Sequence, residues 1–521
     1  MTTAAIPKDA TMPHVLNFGM GVESTAILLR WILEPETRPF PLENLIVLSA
    51  QTGDEFPSTK FLVEQYLLPL LREHNIRYVQ VAKTGPSVKD GITILSDTRQ
   101  PDECHIEGDY RLSDENLKTG TTPLYSGPHI CAQKWKGDVI DSWLATEMKG
   151  RVFGPYLGYN ADETGRISKS SEYGARGFEY RYPLQEWGWD RLKCIQYIQQ
   201  HLGVVWKKSC CVFCPFIQRQ VAADRYLEEP ESASFALFNE AMALATNPRM
   251  QLFSHGTAHQ LCRDTGNHQA LALFETHMDS VPWGIYRIER TYEQRFSDKT
   301  GKPYKSVARR LTQIETGTRQ AMHDRLQVLA HDEGRSVEDM HHFQRVVSHH
   351  RENNASNSCE GFWVACPAVM PDKVRHAQNF ERTWQWLTAE RPEWNLYRVD
   401  QIHEPYIKRN KEPGIKTKNR IQVLQTGDYE TLATALDSIA MEHGQDIGTG
   451  VRFGRQVSQV ITEPALELGD VKGEGYYMIH PPMLNQKNIS SHSFQQQWLS
   501  LKDGLEQMLM FTMPTAHQTK S

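Results

Sequence analysis

A chain of 521 residues is too long for one ordinary core and implies two or three domains. Its 39% hydrophobic and 23% charged residues are those of a globular protein, and a net charge of -6 excludes a global pull towards nucleic acid, leaving only local basic patches. No apolar run is long enough for a bilayer, residues 1–13 lack a signal-peptide core, and nine cysteines are too few for a disulfide scaffold; the expectation is a cytoplasmic protein without membrane contact, whose clustered cysteines serve metal or redox chemistry.

The apolar run His14-Val15-Leu16-Asn17-Phe18 ends in Gly19-Met20-Gly21 and continues as Val22-Glu23-Ser24-Thr25 and Ala26-Ile27-Leu28-Leu29. That pattern predicts strand, tight loop and a helix from Val22 to about Leu33, closed by Pro35, Pro39 and Pro41. Leu45–Ala50 reads as a strand buried on both faces, ending in the polar turn Gln51-Thr52-Gly53-Asp54-Glu55. Residues 60–73 have helical spacing and 76–81 alternate as a strand. The succession implies a doubly wound α/β domain with a mostly parallel sheet, whose ligands lie at the carboxyl ends of the strands. Residues 84–130 read as a long irregular excursion, 132–148 as a helix opened by Cys131, and 152–158 as a strand running into the polar turn 159–166. A helix over 190–201 precedes Lys207-Lys208-Ser209-Cys210-Cys211-Val212-Phe213-Cys214-Pro215-Phe216.

Beyond residue 226 the pattern predicts helices over 228–247 and 256–277, a basic hairpin over 287–310 turning at 298–301, two more helices to about Val347, and a polar linker over 349–358. The remainder mixes strands (361–365, 420–424, 475–479) with helices (373–389, 429–443, 493–510), an α+β unit, and no internal repeat is evident. The expected division is 1–225, a mainly helical region 226–350, and 351–521.

Three constellations carry chemistry. The first is the glycine loop, where backbone approaches a ligand closely, helix N–H groups point at an anion, and Ser24 and Thr25 add hydroxyl donors. The second is Cys131 with Cys210, Cys211 and Cys214. Cys-x-x-Cys is a ligand bite for zinc and for iron–sulfur clusters, and the other two thiols complete a four-thiolate set if the fold brings Cys131 near; buried reduced thiols are the third reading. The third is basic charge interleaved with tyrosines over 287–310, and a second basic run over 408–420, either solvated faces or tracks for a nucleic-acid backbone.

The order of Asn17–Thr25, Gln51-Thr52-Gly53-Asp54-Glu55, Cys131-Ala132-Gln133-Lys134-Trp135-Lys136, Gly158–Glu163 with Arg166, and Ser209–Phe216 resembles the adenine-nucleotide alpha-hydrolase (PP-loop ATP pyrophosphatase, HUP-type) superfamily, in its PAPS reductase-like branch, over residues 14–220. The resemblance implies that Phe18, Gly19, Met20, Gly21, Val22, Ser24 and Thr25, with Ser49, Gln51, Thr52 and Gly53, surround ATP. It implies catalytic roles for Glu23, Ser24, Lys136, Asp162, Glu163 and Arg166, with Lys134 as an alternative cation. It further implies Mg2+ on the phosphates and a [4Fe–4S] cluster on Cys131, Cys210, Cys211 and Cys214, with Zn2+ as alternative. Gly19, Met20 and Glu23 stand where relatives often carry Ser, Gly and Asp, and Gln51 where they carry Asp. The implied reaction is ATP cleavage to AMP and pyrophosphate that adenylates an acceptor for sulfur transfer, as in the DNA-phosphorothioation and tRNA-thiolation branches, with a protein sulfur donor as partner. A sulfonucleotide (APS/PAPS) reductase is the alternative enzyme. It needs a C-terminal Glu-Cys-Gly-type nucleophile, whereas the last cysteine is Cys366. A non-catalytic nucleotide- and nucleic-acid-binding subunit of a defence or mobile-element system is the alternative without catalysis.

Overall fold

The computed structural model describes residues 12–125, 129–165, 180–296, 303–350, 358–370, 380–381, 384, 394–407, 413–443, 448–453, 456–468 and 471–480. The chain forms two compact units: Met1–Pro282 with Met340–His342 and Cys366–Met370, and Trp283–Asp339 with Phe343–Ala365 and Pro371–Ser521.

The first unit opens with β1 (His14–Asn17), α1 (Val22–Leu33) and β2 (Leu45–Gln51). A helical stretch follows, α2 (Pro57–Leu62) joined to α3 (Leu68–Glu73) by a π-type turn, and then β3 (Arg77–Lys83). The span 84–130 is more regular than expected: it holds β4 (Ile92–Thr98) and α4 (Leu112–Thr119). β4 escapes a reading by hydrophobicity because it is only half-buried along its length, as an edge strand is. Next come α5 (Ile130–Ala132), a second π-type turn (Gln133–Gly137), α6 (Asp138–Glu147), β5 (Gly154–Leu157), α7 (Pro183–Glu186) and α8 (Arg191–Leu202).

The strand order is β4-β3-β2-β1-β5. β1, β2, β3 and β5 are parallel, and β4 runs antiparallel at the edge. Every residue of β2 is buried, the reason its sequence is continuously apolar up to Ser49. Alternate residues feed two cores. Leu16, Val47 and Tyr78 pack with α1, α3 and α8 on one face, and Val15, Ile46, Leu48 and Val81 pack with α6 on the other. Helices on both faces of a mostly parallel sheet make the unit doubly wound.

The helices α9 (Arg219–Glu228), α10 (Pro230–Thr246), α11 (Ala258–Asp264) and α12 (His268–Ser280) belong to this first unit, so the chain does not divide at 225/226. Fifteen of the seventeen residues of α10 are buried, and its last residue, Thr246, donates its hydroxyl to the Gly120 carbonyl (2.7 Å), which ties it to the end of α4.

The second unit contains an internal repeat that was not evident in the sequence. The hairpin of β6 (Trp283–Phe296) and β7 (Pro303–Gly317) leads into α13 (Arg319–Asp332) and the strands β8 (Val337–Met340), β9 (Phe343–His349) and β10 (Ser358–Pro367). The hairpin of β11 (Trp394–Ile407) and β12 (Pro413–Gly427) leads into α14 (Tyr429–His443) and the strands β13 (Gly448–Phe453), β14 (Gln456–Leu468) and β15 (Val471–His480). Strand orders are β7-β6-β10-β9-β8 and β12-β11-β15-β14-β13, the same topology twice. The correspondence extends to detail. Trp283 pairs Gly317 and Trp394 pairs Gly427, and the register shifts at Ile285/Tyr286 and at Leu396/Tyr397. Met322, Leu326 and Ala330 are the buried side of α13, and Leu432, Leu436 and Ala440 occupy the same places in α14. Strands β8 and β9 stand where helices to Val347 were expected. The buried Phe343, Val346 and Val347 lie in strand β9 rather than along one helical stripe. The expected hairpin turn 298–301, most of the expected helix 373–389, and the helix 493–510 lie outside the described residues.

Candidate active site

The carboxyl ends of β1, β2 and β5 converge on one corner of the first unit. The chain leaves β1 through Phe18, whose N–H donates to the Leu48 carbonyl (2.7 Å), and turns at Met20 in the left-handed region (φ 57°). A methionine there is strained and is held by its surroundings. Its side chain is buried, its sulfur meets the Gln51 amide nitrogen (3.6 Å) and the Cys104 sulfur (3.7 Å), and its carbonyl accepts the Trp206 indole N–H (3.0 Å). Gly19 is exposed and faces open space. Gly21 caps α1 without a side chain, so the first N–H groups of this twelve-residue helix point into the corner.

The walls are polar. Thr25 Oγ1 and Asn17 Oδ1 are buried without a hydrogen-bond partner among the described residues. Ser24 Oγ donates to the Gly21 carbonyl (3.3 Å). Gly158, just past β5, lies flush against α1; a Cβ there would stand 3.1 Å from the Ser24 nitrogen. Phe18 and Val22 are buried core residues, so only their backbone reaches the corner, and Ser49 is buried and bonded to the Gln51 amide (3.2 Å). Glu23 is ion-paired with Arg191 on α8 (2.5 Å). Glu163 accepts the Asn160 N–H (3.1 Å), Asp162 is exposed, and Arg166 lies outside the described residues.

The thiol loop docks on the turn after β2. Val212 N–H donates to the Asp54 carbonyl (2.9 Å), and Glu55 forms an isolated antiparallel bridge with Cys211. The buried Glu55 carboxylate accepts the Cys210 N–H (2.6 Å), the Ser209 hydroxyl (2.9 Å) and the Thr59 hydroxyl (3.2 Å). Thr52 Oγ1 lies 3.2 Å from Cys211 Sγ. Gly53 (φ 86°) sits so close to Arg111 that a Cβ would fall 2.4 Å from its Cγ. Burial pushes the Asp54 carboxyl up to about 6 and also raises Glu55, against Lys136, Ser209 and Cys210.

Lys136 rides on the second π-type turn, a wide turn of the kind that recurs at functional sites. Burial opposes its charge, but Glu55 and then the thiols of Cys211, Cys210 and Cys214 outweigh it and hold its pKa above the usual value. Lys134 is exposed. The neighbouring Trp135 stacks on Tyr110 (5.4 Å) beneath the Lys83 ammonium (4.6 Å). A hydrogen bond from Cys210 lowers the Cys214 thiol to about 7 in spite of burial, while Cys211 is raised by burial, and Cys131 by burial and then by Cys214. Cys131 thus stands within the field of Cys214, and His129 stacks on Phe216 (3.7 Å) to hold its helix on the loop. A set of four thiols is the donor chemistry of an iron–sulfur cluster or of zinc. Among the described residues, no group of three or more His, Cys, Asp or Glu is disposed to hold a metal ion.

Glu55, Trp206, Arg191 and His129 were not assigned to the site from sequence. Glu55 had one available signal, an acid in the turn directly after a buried strand. The others depend on packing between distant segments. Among the described side chains of the basic hairpin, Arg287, Arg290 and Arg310 are ion-paired. Arg290 pairs with Glu360, and Arg310 with Glu289 and with Glu381 (2.6 Å). In the second copy, Glu404 lies opposite Lys416 and Asp400 opposite Arg420. No helix among the described residues is long and apolar enough to cross a membrane. No family model matches the chain, and neither the curated proteins nor the solved structures provide a match.

Proposed function

We propose that the first unit is a PP-loop nucleotide alpha-hydrolase of the PAPS reductase-like kind. It binds ATP at the β1–α1 corner, cleaves it between the α and β phosphates, and activates an acceptor as an adenylate. The observation that carries this reading is the corner itself. An uncapped helix N-terminus, two orphaned buried oxygens (Thr25 Oγ1 and Asn17 Oδ1) and a glycine flush against Ser24 N converge at the carboxyl ends of parallel strands.

In this reading the backbone of Gly19–Gly21 and the first turn of α1 hold the phosphates, whose charge Mg2+ would offset when bound. Ser24 and Thr25 supply hydroxyls. Glu23 is fixed by Arg191 and orients the corner. Lys136, kept charged beside Glu55, offsets negative charge that develops on the leaving pyrophosphate. On the chemistry of their thiols alone, since their arrangement here forms no metal-holding group, Cys131, Cys210, Cys211 and Cys214 are the residues that would hold a [4Fe–4S] cluster or Zn2+, which would supply redox or sulfur chemistry. Asp162, Glu163 and, by the resemblance alone, Arg166 are assigned to the acceptor. Nucleic acid is the acceptor class that the basic segments 287–310 and 408–420 suggest.

The test is product analysis of the full chain with α- and γ-labelled ATP, with and without duplex DNA. AMP and pyrophosphate are expected, and a Gly158→Ala substitution, which drives a Cβ against Ser24 N, should lower turnover about 10-fold or more. Release of ADP and phosphate would exclude the mechanism.

A further inference from the structure

Three hydrogen bonds made by the buried side chains of Trp206 and Glu55 join the thiol loop to the two turns of the proposed nucleotide corner. At its start, the Trp206 indole N–H donates to the carbonyl of Met20, the strained residue of the β1–α1 loop (3.0 Å). Three and four residues on, Ser209 and Cys210 donate to the Glu55 carboxylate just past β2 (2.9 and 2.6 Å). Glu55 is anchored in turn by Thr59 of α2 (3.2 Å), and the loop's far side is held by Tyr226 of α9, whose hydroxyl donates to the Val212 carbonyl (2.7 Å). Trp206 and Glu55 are 2% and 4% exposed, so these bonds are largely shielded from water.

We infer that Trp206 and Glu55 are positioning residues that fasten the thiol loop, residues 206–216, to the β1–α1 loop and the β2 turn, so that occupancy of the nucleotide corner is felt at the thiols. Met20 holds its left-handed backbone with its side chain buried against Gln51 and Cys104 and its carbonyl bonded to Trp206. A ligand that engages the Gly19–Gly21 backbone acts on the same peptide units, and the Trp206 bond passes any shift or stiffening directly to the segment that carries Ser209 and Cys210. Glu55 makes the second attachment, so the loop follows the corner instead of pivoting on one point. Neither residue touches the phosphates; each acts through the loop.

The inference rests on the nucleotide reading, and the experiment separates the two. Hydrogen–deuterium exchange of the full chain is followed with and without ATP, alongside calorimetric titration with ATP. This readout works whether or not the thiols carry a metal. In the wild type, ATP should slow exchange in residues 18–25 and also in 206–216, the latter by about 5-fold or more. Trp206→Phe keeps the aromatic bulk and removes the donor. Ser209→Ala removes one bond to Glu55. Glu55→Gln keeps one acceptor oxygen. Each should bind ATP within about 3-fold of the wild type and protect 18–25, but lose protection over 206–216. Retained protection in all three variants, or a wild type that binds ATP with no change over 206–216, would overturn the inference alone. A wild type that does not bind ATP would overturn both readings. If Glu55→Gln melts early, Ser209→Ala and Trp206→Phe decide the matter.

Discussion

Cys214 illustrates how a single residue is tuned here. Its thiol is lowered to about 7 by the hydrogen bond from Cys210, with the Phe216 N–H, Lys208 and Lys136 assisting, while burial pulls the other way. In the metal-free protein its alkylation by iodoacetamide should therefore reach half its maximal rate near pH 7, and Cys210→Ala should move the profile upward by removing the largest contribution. A profile centred near 9 in the wild type would contradict the assignment. At this scale the sequence was legible wherever one short segment makes the feature. Gly19, Gly21, Ser24, Thr25 and the Cys-x-x-Cys bite were readable because their meaning is local. Glu55, Trp206 and Arg191 were not, because each acts on a partner more than 150 residues away.

At the scale of elements, strongly patterned segments were legible and half-exposed ones were not. The wholly buried β2 and the helix α14 were found at their observed positions. β4, β8 and β9 were missed because partial exposure dilutes the alternation that identifies a strand. The repeat was hidden for another reason. Its two copies share Trp, Tyr and Arg at the start of the hairpin and Thr-Gly before the helix, but between these marks only the alternation of buried positions persists. That equivalence gives a paired prediction. Leu326 and Leu436 are fully buried at matching places in α13 and α14. Leu→Ala at either should cost about 2–5 kcal/mol, read as an earlier urea midpoint for the second unit. Neither change should alter ATP affinity by more than about 2-fold. A change of midpoint within error at both sites would refute the packing equivalence.

For the whole molecule, charge and pH response depend on opposing groups. Residues 283–317 hold eight Lys and Arg against four Asp and Glu, and residues 394–427 seven against three, so these hairpins are basic within a chain of net charge -6. In the first hairpin Arg287, Arg290 and Arg310 are met by Glu289, Glu360 and Glu381, which reduces what those three offer to a polyanion. In the first unit, burial raises Glu240 to about 7, although its carboxylate receives the Leu252 and Ala258 N–H groups. An acid raised in the fold contributes stability that is full below its unfolded value near 4.5 and is lost as pH rises through 7. His14 and His259, lowered to about 4 mainly by burial, act in the reverse sense: their contribution is full above 6.5 and is lost as pH falls through 4. The two slopes oppose each other between pH 5 and pH 7. Glu240→Gln should therefore make Tm at pH 7 minus Tm at pH 5 more positive than in the wild type, measured by scanning calorimetry. An unchanged difference would show that Glu240 does not titrate in this range.

The duplicated architecture of the second unit also bears on how the chain reaches its native state. Two tandem copies with one strand order offer each other's edges as partners: β6 could receive β15 in place of β10, and β11 could receive β10 in place of β15. Misassembly by strand exchange between adjacent repeats is a characteristic failure of such chains. The first copy leaves the ribosome with its own helix and meander before the second hairpin is made, so its pairings form without competition. The divergence that concealed the duplication then works in favour of correct folding, because copies that differ in sequence exchange strands less readily than identical ones. Making the two copies more alike should raise the yield of swapped and aggregated species on refolding without altering the native structure.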